Sequence, residues 1–136
     1  MGQEATLSAL PVNTLAGSSW RLAAIQSMDD GQGTVVPPSG QTYRVTFGAD
    51  GRAAFTLNCN RATAGWSVKP STDGRSGDLV FNAVAMTRAL CPPPSLDIRI
   101  ARDLGYVRSY LLSDGTLSMS LMADGGIYQW ARDVTP

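Results

Sequence analysis

The side chains best equipped for chemistry lie in two short stretches, Asn58-Cys59-Asn60-Arg61 and Thr87-Arg88 with Cys91, followed by a carboxylate at Asp97. The amides of Asn58 and Asn60 donate and accept at once, and Arg61 and Arg88 each offer a planar fork suited to carboxylates. Asn58, Asn60, Arg61, Thr87, Arg88 and Asp97 are therefore the candidate binding residues. The competing use is internal, and it is the stronger of the two. In it Asn60 and Arg61 satisfy neighbouring backbone, or Arg61 pairs with Asp97, and Thr87 ties down main chain beside the cysteine. No base stands near Thr87 in sequence, so it has no claim as a nucleophile. Asp97 and Asp103 could supply paired carboxylates for hydrolysis, but six residues apart on one short helix they converge poorly on one pocket.

Cys59 and Cys91 are the only thiols. Three uses are open: a disulfide, two buried free thiols, or a redox or metal pair. The last lacks a C-x-x-C spacing, and two sulfurs without histidine cannot complete a zinc tetrahedron by themselves. The disulfide is preferred, and closing a loop of about 30 residues would stabilise the fold by roughly 3–4 kcal/mol.

Composition narrows the chemistry further. The 136 residues hold 11 basic and 11 acidic side chains, and no histidine. The missing imidazole removes Ser-His-Asp and Cys-His nucleophiles, HExxH zinc sites and histidine pH switches. A net charge of zero gives a nucleic-acid role no electrostatic support. Lys69, the only lysine, sits beside Pro70 in a turn-like stretch, which argues against Schiff-base or P-loop chemistry. Turn aspartates such as Asp29-Asp30 and Asp73 form no EF-hand pattern, so no metal and no cofactor are implied. Apolar runs fall far short of the ~20 residues that cross a bilayer. Met1-Gly2-Gln3-Glu4-Ala5-Thr6 fits the M-G-x-x-x-[ST] acylation pattern, but no basic residue precedes Arg21 to add a second membrane signal. An initiator scar followed by a flexible tether over residues 1–14 is the plainer reading.

The elements that must position these residues read as strands. Tyr43 to Phe47 alternates apolar with polar, Asp50-Gly51 marks a reversal, and Ala53 to Cys59 resumes with Phe55, Leu57 and Cys59 on one face. Further strands are expected at Trp20 to Ile25, Gly65 to Val68, Leu79-Phe81-Ala83, Val107 to Leu112, Leu117 to Leu121 and Ile127 to Ala131. Eight short strands with regular turn signals predict a mainly β, antiparallel, barrel-like sheet. One helix is expected near residues 95–105, with Ser95 as N-cap, Leu96, Ile100 and Leu104 as its apolar stripe, and Gly105 as a left-handed stop. Met28 to Thr42, rich in Asp, Gly, Pro and Ser, reads as one long loop. The tryptophans and tyrosines could line a barrel mouth, though packing is their commoner use in a small β domain.

The same stretches carry a resemblance. Leu57-Asn58-Cys59-Asn60-Arg61 is similar to the G-C-N-R core of the META domain family, the HslJ-like bacterial envelope and heat-shock proteins, and Thr87 to Pro92 resembles its T-x-M-A-C-P segment. Asp97, Ile100, Leu104, Val107 and Tyr110 match its E-x-x-F-x-x-x-L-x-x-V-x-x-Y spacing, and Leu15 to Trp20 its opening L-x-G-x-x-W. Asn58 replaces the usual Gly, Ala89-Leu90 replaces Met-Ala, and Asp97 replaces Glu. The resemblance implies a META-like β domain over residues 15–136 and an exported protein of the cell envelope, periplasmic, secreted or held by a lipid anchor, with a link to stress and no assigned reaction. The expectation is a monomeric, non-enzymatic domain that binds an unknown protein or a small apolar ligand. The alternative is a small inhibitor or interaction module that engages its partner through the 28–42 loop.

Overall fold

A computed structural model describes residues 15–27, 33–123 and 125–133. The tether over residues 1–14 lies outside them, as do residues 28–32 of the long loop. Strands β1 (Ser19–Gln26), β2 (Thr34–Val35), β3 (Tyr43–Phe47), β4 (Arg52–Leu57), β5 (Asn60–Pro70) and β6 (Ser76–Met86) precede helix α1 (Asp97–Leu104), and β7 (Val107–Ser113), β8 (Thr116–Leu121) and β9 (Ile127–Arg132) follow it. All neighbours are antiparallel, and β9 pairs back onto β1, so eight strands close a barrel. The ninth, β2, adds onto the end of β1 through Ile25–Val35 and Gln26–Thr34, beyond the stretch that β3 covers. Thr34 and Val35 thus turn part of the expected loop into a strand.

Alternation decides which side chains go inward. In β3, Tyr43, Val45 and Phe47 are buried, and in β4 Ala53, Phe55 and Leu57 face them across the register. An eight-stranded barrel is just wide enough for its own side chains to fill it. Fully buried Trp130, Phe47, Phe55, Leu117 and Met119 take up that space, and Phe47 packs edge-on to Trp66 at 4.9 Å between ring centres. The aromatic residues are therefore core rather than the lining of a mouth, apart from Tyr106, which is half exposed.

Local backbone corrects three expectations. Strand β4 stops at Leu57, because Asn58 takes a left-handed conformation (φ 61°) and starts a tight turn, so Cys59 lies in that turn and not on the face of Phe55 and Leu57. In β6, Ala83 is also left-handed (φ 52°), at a bulge opposite the Thr63–Gly65 stretch of β5, so Ala83 leaves the inner face that Leu79 and Phe81 share. The helix begins with Leu96 at its N-cap and no side-chain cap, while Gly105 ends it in a right-handed conformation (φ −70°). Ser95 sits one residue too early to cap, having been drawn into the contacts described below. The apolar stripe holds: Ile100 and Leu104 are buried against the barrel.

Candidate functional site

The turn between β4 and β5 and the strap from residue 87 to residue 96 meet at one end of the barrel. Asn60 begins β5, so its side chain lies under the strap, only 2% exposed. Its amide nitrogen donates to the Ala89 carbonyl and to Asp97 Oδ2, both at 2.8 Å. Its amide oxygen accepts from the Thr87 hydroxyl and the Ala89 N–H, again at 2.8 Å. Thr87 Oγ1 also accepts the Arg61 N–H at 2.9 Å. All of the asparagine's amide capacity is spent inside the protein.

Asp97 opens α1 as a buried carboxylate, 4% exposed. Burial alone would raise its pKa, but hydrogen bonds from Ser95 and Asn60, with the N–H groups of the first helical turn, outweigh it and hold the carboxyl below the usual carboxylate range. The Ser95 hydroxyl donates to Asp97 Oδ1 and accepts from the Asn58 amide at 3.0 Å. Tyr43 closes this side: its hydroxyl accepts the Leu96 N–H at 2.9 Å and donates to Gln41 Oε1 at 2.7 Å, while Gln41 Nε2 donates to the Pro94 carbonyl at 2.7 Å. Between the two groups the Cys59–Cys91 disulfide joins the turn to the strap across 32 residues.

The structure brings Asn58, Asn60, Thr87 and Asp97 into one network and leaves the two arginines out of it. Arg61 donates across the sheet to the hydroxyl of Thr56, its register partner on β4 (3.0 Å), and does not pair with Asp97. Arg88 is exposed on the strap. Asp103 takes the Tyr128 hydroxyl at 2.6 Å, at the other end of α1 from Asp97, so the two carboxylates serve separate contacts. Burial, the Asp103 hydrogen bond and its negative charge push the Tyr128 hydroxyl above the ordinary tyrosine range.

Beside the network lies an open hollow of about 390 Å³, floored by Asn60 and Asp97 and edged by Met86, Arg88, Leu90 and Ile98. Leu90 is 94% exposed and Ile98 68%. Neither was marked by the sequence. The available signal was alternation through Thr87-Arg88-Ala89-Leu90-Cys91, which places Arg88 and Leu90 opposite the residues that hold the strap down. Gln41 and Tyr43 were likewise legible only as loop and strand residues.

The META domain profile matches residues 13–133. Among solved structures, the chain is similar to a DUF4847 family protein from Bacteroides vulgatus, with a TM-score of 0.57, 13% identity, and coverage of 90% of this chain and 97% of that one. At that identity the likeness speaks for the fold. No curated protein matches the chain.

Proposed function

The chain belongs to the META domain family, and on that premise we propose that it is a non-enzymatic, exported envelope protein, active under stress, that binds a partner protein through its 87–92 strap and the outer face of α1. The observation that carries the reading is the pair of large apolar side chains, Leu90 and Ile98, held out at the rim of the hollow. Exposed anchors on a rigid base are what a protein partner's pockets recognise. The non-enzymatic part is supported by the use of the site's polar groups: Asn58, Asn60, Thr87 and Asp97 are occupied with one another or with main chain. The filled barrel favours a surface contact over a small apolar ligand carried inside. The disulfide supports an oxidising compartment outside the cytoplasm, and the stress role follows from the family's associations.

The second reading, contact through the 28–42 loop, has Val36 in its favour, 64% exposed just beyond β2. Photo-crosslinking side chains placed separately at positions 90, 98 and 36, in protein exported by its native host, decide between them. Adducts to one envelope partner from positions 90 and 98 uphold the first reading; adducts from position 36 alone transfer the contact to the loop. Cell fractionation with thiol trapping tests the compartment, since recovery from the cytosol with both cysteines freely alkylated defeats the envelope assignment.

A further inference from the structure

The strap is pinned on alternate residues. Thr87 donates its main-chain N–H to the Arg61 carbonyl at 2.9 Å, Ala89 engages the Asn60 amide through both its N–H and its carbonyl at 2.8 Å, and Cys91 is covalently joined to Cys59. Residues 87–91 run on from β6 without a turn. In such a chain successive residues direct their N–H and C=O groups to opposite sides. The main-chain groups of Arg88 and Leu90 accordingly face away from the barrel, and neither residue makes a main-chain hydrogen bond among the described residues. Their side chains are exposed as well, Leu90 by 94%.

We propose that this strap is a substrate-like inhibitory segment: the main chain of Arg88 to Leu90 pairs as a β-type strand with the cleft of an endopeptidase, and the Leu90 side chain fills an apolar primary-specificity pocket. The inference rests on the strap being the contact surface proposed above and names the class of partner. An endopeptidase cleft asks for two things at once, an extended main chain with free donors and acceptors and one side chain that enters a deep slot. Residues 88–90 supply both. The Asn60 amide and the disulfide hold Ala89 and Cys91 from behind, so most of the ordering cost of an extended segment is met before binding. The anchored residues are those whose main-chain groups a substrate strand would turn away from the enzyme.

The test uses the full, disulfide-intact chain with chymotrypsin, whose primary pocket is an apolar slot, and trypsin, whose pocket is acidic. Hydrolysis of a small peptide substrate by chymotrypsin should be inhibited, with the Leu90–Cys91 bond still intact by mass spectrometry. Leu90→Arg should weaken that inhibition by about 30-fold or more and confer inhibition of trypsin, and Leu90→Gly should inhibit neither enzyme. At 94% exposure these substitutions leave the core untouched. The proposal is overturned if the unmodified chain inhibits neither enzyme, if the Leu90–Cys91 bond is cut rapidly, or if the arginine variant keeps the original specificity. Failure here with a partner still crosslinked from position 90 removes the peptidase assignment alone; failure of both removes the contact surface too.

Discussion

Asn60 is the residue on which the clasp turns. Its four hydrogen bonds at 2.8 Å reach a carboxylate, a hydroxyl and both main-chain groups of Ala89. Asn60→Ala leaves several buried partners unsatisfied at once, and should cost about 2–4 kcal/mol in urea denaturation. Asp97 gives the clasp an acid limit. Its carboxyl titrates lower in the folded protein than in the unfolded chain, so the stability it contributes is complete above the unfolded value near 3.8 and is lost as pH falls through the lowered folded value. Urea midpoints measured between about pH 6 and pH 2 should therefore decline on the acid side, and Asp97→Asn should flatten that decline. Equal acid sensitivity in the two proteins would sink the assignment. The residue types of this cluster were legible in the sequence, but the left-handed backbone at Asn58 (φ 61°) was not: alternation carries the strand on to Cys59, and asparagine in place of the META family's usual Gly leaves the positive φ intact. Asparagine tolerates that conformation better than most side chains. What could not be read was the direction of the bonds, because pairing Asn60 with Ala89 and Asp97 depends on how a strap from 27 to 37 residues downstream crosses β5.

The strands followed from alternation because one face of each meets the core; two of the departures occur where left-handed backbone interrupts that period, while β2 and the Asn60–Ala64 part of β5 are strands that the sequence reading left out. Asn58 ends β4 early, and Ala83 moves the rest of β6 by one residue, so that Val84 and Met86 take the half-buried positions in place of Ala83 and Ala85. Neither alanine nor asparagine announces such a break within an apolar run. Glycines show the same contrast between turn and close approach. Gly115, at φ 78° in the turn between β7 and β8, has open space where a Cβ would go, whereas a Cβ on Gly77 (φ 154°) would collide with the Lys69 carbonyl and stand 2.8 Å from Pro70 Cα. Gly77 also faces Tyr110 in the short ladder joining β6 to β7. Gly77→Ala should therefore cost about 2–4 kcal/mol, a clash added to strain, while Gly115→Ala should cost only the left-handed penalty of about 1–2 kcal/mol. Thermal denaturation of the two variants side by side measures the difference. Equal losses would mean that β5 and β6 can shift apart at Pro70–Gly77 to accept the methyl group.

For the molecule as a whole, closure and clasp are separate constraints. The barrel is closed by β1 against β9, six register pairs from Trp20–Arg132 to Gln26–Ile127, and neither strand carries a cysteine of the disulfide. The disulfide instead fixes the strap and the β4–β5 turn, with α1 following directly behind them. Cutting it should remove roughly 3–4 kcal/mol by the chain-entropy estimate, yet the filled interior and the closed sheet stay as they are. Hydrogen exchange on the Cys59→Ala/Cys91→Ala double variant can separate the two constraints, since local openings report independently of global unfolding. The amides of Thr87, Ala89 and Leu96, whose acceptors lie in the clasp, should exchange at lower opening free energy than those of β1 and β9. Uniform loss of protection across all strands would show instead that strap and barrel unfold as one unit. The outcome bears on function, because a strap that loosens alone would still be attached to an intact scaffold but would no longer hold Arg88 and Leu90 in one extended geometry, and recognition through them would weaken before the fold did.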